Sequence, residues 1–441
     1  MKKFIIFALV ILQAIALFSG CEEIKNNEEV IDLAAETEAV EYKEPVIGIW
    51  VPPCIQLCGT QEETDEQYRK ISEAGVNMIY TFNETGSKKW MEYVLNSCEK
   101  YNISVIVCLG LPQSEDDIPG IVKTAVKWKD YPAVIGYSMG DEPGAGRFRT
   151  LGKEYAALRE AVGEDKLIMV NLLPNYASDD ALGAYSDEDM TSYQNYLRLY
   201  FERADTDIVS FDFYPYMASE NGTASQFRSM YRNFCDIASI GKQQNRDTWG
   251  FVQCGSWNGT RAPELAELRF LTHYHLMFGL KGYAYFLYSP PSATATSEGV
   301  FHGMITYEGE TTEIYDRVKT TCAELKGMRG VYLDYNFAGL LKETLKDEYA
   351  ERLTAEYALD GFKNIKNVSS KNVIVSCFEK EDGWGLYLVN SDTVSSQSVT
   401  VTFDSALEIK VWGSEGIEQM GSKKSITVKL AEGEGKFVEI F

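Results

Sequence analysis

Residues 134–173, VIGYSMGDEPGAGRFRTLGKEYAALREAVGEDKLIMVNLL, hold one unit of the pattern that decides the fold. Val134–Met139 is a short apolar run of strand length, Phe148–Val162 carries its apolar residues at helical spacing, and Leu167–Leu173 is apolar again. Strands that are apolar almost throughout belong to parallel sheets covered on both faces. Outward from this unit the same alternation repeats. Upstream strands are expected at Val46–Val51, Asn77–Phe82 and Ile103–Leu109, and downstream ones at Ile208–Phe213, Thr248–Gln253 and Gly282–Tyr288. Helices are expected at Glu62–Ala74, Lys88–Glu99 and Pro263–Phe278, with Gly75 and Gly279 placed to cap the first and the last before the chain re-enters a strand. Strict alternation through residues 45–330 predicts an α/β fold, a (β/α)8 TIM barrel. The rival, a doubly wound open sheet, would carry a Gly-x-Gly-x-x-Gly loop after its first strand, and none stands there.

From residue 331 the rhythm changes. Val373–Phe378, Trp384–Asn390, Ser398–Phe403, Ile409–Trp412, Ser425–Leu430 and Gly435–Phe441 are short strand-like runs separated by turn formers such as Asp382-Gly383. They predict a C-terminal antiparallel β-sandwich over residues 331–441. At the other end, Lys2 and Lys3 precede an apolar run from Phe4 to Phe18 and then Ser19-Gly20-Cys21, the layout of a secretory signal over residues 1–20. With Leu17 just upstream, the cleavage region resembles a bacterial lipobox. That resemblance implies that Cys21 is acylated and becomes the N-terminus, and that the lipid bilayer is a partner. Residues 21–44 are polar and acidic and are expected to act as a tether. The expected location is the bacterial cell envelope, lipid-anchored, whether periplasmic or surface-exposed.

Composition narrows the function classes. The 441 residues carry 42 Lys+Arg against 65 Asp+Glu, a net charge of −23, which argues against a nucleic-acid partner. Three histidines leave little for a metal centre. Cys54 and Cys58 have no second Cys/His pair at zinc-ligand spacing, so neither a metal nor another cofactor is expected. His273 and His275, two apart on an expected helix, face different ways.

Chemistry in such a barrel sits where the strands end. Strand one ends near Trp50, strand two near Asn83, and strand four in Gly140-Asp141-Glu142-Pro143. Strand five offers Asn171, strand six Asp212 and Tyr214, strand seven Gln253 and then Trp257, and strand eight Tyr288. Along strand six, alternation sets Ser210, Asp212 and Tyr214 on one side and Val209, Phe211 and Phe213 on the other. Acids, amides and rings around one mouth suit a carbohydrate, since rings stack on sugar faces and amides and acids take hydroxyls. Glycoside hydrolysis needs a proton donor and a second carboxylate. Glu142 is the expected donor, with Asp141 beside it as a like charge that raises its pKa. Trp50, Asn83, Asn171, Tyr214, Gln253, Trp257 and Tyr288 are the expected substrate contacts. An acid at a strand end also serves simply to cap the next helix, a plainer role open to Asp141 or Glu142.

Asp141-Glu142-Pro143 resembles the Asn-Glu-Pro motif that ends strand four in clan A glycoside hydrolases, and a barrel followed by a sandwich is similar to the β-galactosidase-like members. The resemblance implies a hydrolase of β-linked glycans, galactosides included, with Glu142 as acid/base. Two positions depart from it. Asp141 replaces the Asn, and Gln253 stands where the clan places its nucleophilic Glu at the end of strand seven. Three explanations are open. The strand register differs, or Asp212 supplies the second carboxylate, or the barrel binds glycan as a surface lipoprotein without cleaving it.

Overall fold

Apolar runs eight times repeated pair side by side and close on themselves. In the computed structural model, which describes residues 44–342 and 362–441, the barrel strands are β1 (Val46–Ile49), β2 (Met78–Tyr80), β3 (Ser104–Cys108), β4 (Val134–Asp141), β5 (Leu167–Leu172), β6 (Ile208–Phe213), β7 (Asp247–Gln253) and β8 (Gly282–Phe286). Each pairs in parallel with its sequence neighbour, and β8 returns to β1, with Val46 opposite Gly282 and Ile49 opposite Tyr285. Cys21 and the acidic stretch before Glu44 lie outside the described residues.

The helices are α1 (Gln61–Glu73), α2 (Lys88–Lys100), α3 (Ile118–Trp128), α4 (Phe148–Val162), the short α5 (Asp179–Leu182), α6 (Ser192–Arg203), α7 (Glu220–Gln244), α8 (Leu265–Met277) and α9 (Glu313–Gly327). Hydroxyl side chains start many of them: Thr60, Ser87, Ser219 and Thr312 each accept a first-turn backbone N–H, and Thr191 with Gln194 forms a reciprocal capping box. Alternation then divides the strand residues. Ile79, Val105, Val170, Val209, Phe211 and Val252 face outward to the helices, whereas Met78, Tyr80, Ile106, Met169, Ile208, Trp249 and Phe251 fill the barrel interior. The interior is a packed floor, and the open end is lined by the strand ends and the loops that leave them.

The C-terminal strands are β9 (Asn336–Lys342), β10 (Ile365–Ser369), β11 (Val373–Lys380), β12 (Gly383–Asn390), β13 (Gln397–Gly413), β14 (Gly416–Leu430) and β15 (Gly435–Ile440). They hydrogen-bond in the order β10-β13-β15-β12-β11-β9, with β14 on β13, all antiparallel. Two runs expected as separate strands, Ser398–Phe403 and Ile409–Trp412, are one strand. β13 stays paired with β14 across an irregular stretch between Thr402 and Leu407, which bends the ribbon instead of ending it. Its first half therefore lies beside β10 and its second beside β15, and the sheet folds over a core of Val375, Leu386, Leu388, Val399, Val401, Val428 and Val438. The opposite face, with Ile374, Phe378, Tyr387, Val389 and Phe437, joins the barrel's own core. There the ring of His273 on α8 shares a 2.9 Å hydrogen bond with the Tyr387 hydroxyl. The buried Lys281 ammonium, just before β8, donates to the carbonyls of Leu333 and Tyr335, both at 2.7 Å.

Candidate active site

The site begins with an irregularity in β4. Ser138 pairs with Met169, but the next partner pair is Asp141 with Asn171, so β4 carries one extra residue. Gly140 absorbs it at φ +146°, and a Cβ there would lie 2.4 Å from the Leu111 Cγ. Only glycine fits both the backbone and the space. Glu142 follows at φ +48°, its N–H donating to the Asn171 carbonyl at 2.9 Å. A regular strand would send Asp141 and Glu142 to opposite faces. The bulge turns Asp141 onto Asn171, whose Nδ2 donates to the Asp141 Oδ1 at 3.0 Å, and leaves Glu142 directed at β6. The Ser210 hydroxyl donates to the Asn171 Oδ1 at 3.0 Å, which fixes which end of that amide faces the acid.

Asp212, two residues along β6 from Ser210, completes the group. It is 7% exposed, and its Oδ1 is buried with no hydrogen-bond partner among the described residues. Burial, then the charge of Asp141, raises its carboxyl to about 7, while Tyr214 and Asn171 oppose the shift by hydrogen bonding. Glu142 is raised well above the usual carboxylate range, first by burial and then by Asp212, Asp141 and Glu298. Asp141 is raised by burial and held back by its bond from Asn171. The charges acting on Glu142 are all of one sign, so they add to burial in favouring its protonated form.

Rings surround the acids. The Tyr214 ring stands edge-on to Trp257 with centroids 5.0 Å apart, and Trp257 lies parallel to Phe301 at 6.2 Å. Trp50 packs on Tyr80 and Phe251, making the floor of the mouth. Thus Asp141, Glu142, Asn171, Asp212, Tyr214, Trp50 and Trp257 gather at one end of the barrel, whereas Asn83 is exposed on its rim.

Two expected substrate contacts are corrected. Gln253 is fully buried, its Oε1 accepting the Tyr216 N–H at 2.8 Å and its Nε2 donating to the carbonyls of Tyr216 and Arg261 at 3.0 Å. Its amide ties the β6 and β7 loops together and has no group left for a sugar. Tyr288 is also fully buried, in the outer wall with Cys58 and Tyr315 nearby. Alternation fails between Phe286 and Leu287, which both face the mouth cluster, and this turns Tyr288 outward.

Two residues not expected from the sequence stand at the site. Tyr176 is partly exposed after β5, packs edge-on against Phe213 at 5.0 Å, and has its hydroxyl raised by burial and then by the charges of Asp212 and Glu142. Its place just past the end of β5 was the signal. Glu298 reaches the acids from the long loop after β8, where its backbone carbonyl accepts the Asn258 N–H at 3.1 Å. No periodicity marks that loop.

No protein-family model and no curated protein matches this chain. Among solved structures it is similar to the cold-adapted β-galactosidase from Rahnella sp. R3, at 8% identity over 91% of this chain and 99% of that one, with a TM-score of 0.62. It is also similar to a glycoside hydrolase family 5 structure from Bacteroides vulgatus ATCC 8482, at 9% identity over 90% and 89%, TM-score 0.53. An Anoxybacillus α-amylase matches at 10% identity over 90% and 98%, TM-score 0.50. At these identities the likeness is one of fold, a barrel with a further C-terminal domain.

Proposed function

We propose that the chain is a glycoside hydrolase acting on a β-linked glycan such as a β-galactoside, with Glu142 as general acid and Asp212 as the second carboxylate. The observation that carries this reading is the pair itself. Two carboxyls, half-buried Glu142 just after β4 and buried Asp212 on β6, meet at the open end of the barrel, the first shifted toward its protonated form and the second with an oxygen that has no hydrogen-bond partner among the described residues. Glu142 would protonate the departing glycosidic oxygen, and ionised Asp212 would either steady the positive sugar centre or take a proton from the attacking water. Burial raises both carboxyls first, and Asp141, fixed by Asn171, adds to it. The fold shared with a β-galactosidase and a family 5 hydrolase supports the substrate class.

A non-catalytic glycan binder is favoured by one observation, the engagement of Gln253 at the end of β7. A panel of β-linked glycosides, galactoside included, with both aryl and poorer sugar leaving groups separates the two. Glu142→Gln and Asp212→Asn are each expected to lower kcat by roughly 10²–10⁴-fold on substrates with poor leaving groups. Unchanged turnover in both variants would remove these residues from the mechanism. A panel without turnover, with sugar affinity intact in both variants, would establish the binder. We further propose that Cys21 is acylated and holds the protein to a bacterial envelope membrane, a reading supported by Leu17 and Ser19-Gly20-Cys21.

A further inference from the structure

Among the described residues, the large apolar side chains left exposed are unevenly placed. Ile55, Phe82, Tyr176, Tyr185, Met190 and Val300 lie on segments that follow barrel strands, at the end where the acids are, whereas Val126 is on α3 and Val394, Ile417 and Phe441 are on the C-terminal strands and their turns. The first six form two groups. Ile55, Phe82 and Val300 follow β1, β2 and β8, whereas Tyr176, Tyr185 and Met190 follow β5, which faces β1 across the closed barrel. Exposed apolar surface concentrated on one functional face marks contact with a ligand.

Each group has a built feature. Beside the first is a small, shallow cleft whose walls include Pro52, Phe82, Asn83, Pro290 and Pro291. Phe82 is 42% exposed there, with the Asn83 amide next to it, a ring and a hydrogen-bonding group side by side. In the second, Tyr185 is 60% exposed yet tied on two sides. Its hydroxyl donates to the Asp180 Oδ1 at 3.2 Å and its carbonyl accepts from the Asn195 Nδ2 at 2.9 Å. A ring held out in water by polar ties is a preorganised platform. Glu142, just after β4, and Asp212, on β6, come from the two strands that flank β5.

We propose that the substrate is an uncharged oligosaccharide chain lying across the mouth, from the Phe82 cleft over the acids to the Tyr176–Tyr185 platform. The bond attacked is then internal to the chain. This rests on the hydrolase reading and adds the form of its substrate. Acidic glycans are disfavoured because the charges that act at the acids, Asp141, Asp212 and Glu298, are all negative.

The test uses full-length protein, aryl monoglycosides, and galacto-, xylo-, cello- and manno-oligosaccharides from disaccharide to hexasaccharide. In the wild type, kcat/KM is expected to rise with chain length. In Phe82→Ala and Tyr185→Ala, the ratio of kcat/KM on the hexasaccharide to that on the aryl monoglycoside is expected to fall roughly 2–10-fold, as the loss of one ring contact requires. Tyr185→Phe, which keeps the ring, should restore most of that ratio. A flat dependence on length, or a ratio unmoved by either alanine, would overturn the proposal. If nothing is turned over, the hydrolase reading has failed on its own. Calorimetric affinities of the wild type for the same oligosaccharides then decide, with length dependence lost in Phe82→Ala in support and none in the wild type against. Equal affinity for oligogalacturonides would overturn the claim that the chain is uncharged.

Discussion

Asp141 touches Asn171 and acts on its two neighbours through charge alone. Burial and then the negative charge of Asp141 hold Asp212 at about 7. If Asp212 must be ionised for turnover, kcat/KM rises as pH climbs through that value. Asp141→Asn removes the like charge, so the Asp212 pKa falls and the acid limb of the pH profile is expected to move down. Relative activity at mildly acidic pH then increases, and a limb that stays in place would show that another group titrates there. Gln253 gives the converse case. Gln253→Glu does not install a nucleophile, because the new carboxylate would face the Tyr216 and Arg261 carbonyls that the amide now donates to. The expected result is a loss of roughly 2–5 kcal/mol in denaturant unfolding with no gain in turnover. Alternation along β6 was enough to place Asp212 inward from the sequence, and a strand-end position was enough for Glu142. The commitment of Gln253 and the outward turn of Tyr288 depend on loops from other strands, which no local pattern encodes.

At the scale of elements, the sequence rhythm located all eight barrel strands to within a few residues, because each is an apolar run bounded by polar turns. What it could not show was the extra residue in β4, where a Gly-Asp-Glu run reads as an ordinary strand end, or the continuity of β13 through Asp404-Ser405-Ala406. α4 holds a further feature hidden from periodicity. Glu154 is fully buried, both carboxyl oxygens lack a hydrogen-bond partner among the described residues, and burial raises its pKa from the usual 4.5 to about 8. Below about pH 4.5 the folded and unfolded chains both hold this proton, so Glu154 adds no pH dependence there. Between 4.5 and 8 only the unfolded chain releases it, and stability drains away as pH rises, by an amount on the order of a few kcal/mol. Glu154→Gln keeps the neutral form. Its melting temperature is expected to match the wild type near pH 4.5 and to exceed it increasingly up to pH 8. Parallel curves would show that the carboxyl is ionised in the fold.

The whole molecule combines a barrel whose chemistry is gathered at one end with a folded-over sheet on the flank of α8 and α9, joined through Tyr387, His273 and Lys281. If Cys21 carries the lipid, the protein fractionates with membranes, and Cys21→Ala is expected to release it or leave it unprocessed. A mature N-terminus at any other residue would refute the anchor. The direction of β1 then has a consequence for orientation. Because the strands are all parallel, the chain enters β1 at the pole opposite the acids, and Pro45 there lies 3.1 Å from where a Cβ on Gly330 would stand. A lipid on Cys21 would therefore join the barrel at the pole away from the acids, through a stretch no longer than roughly 80 Å when fully drawn out, so the anchor's point of attachment does not cover the mouth.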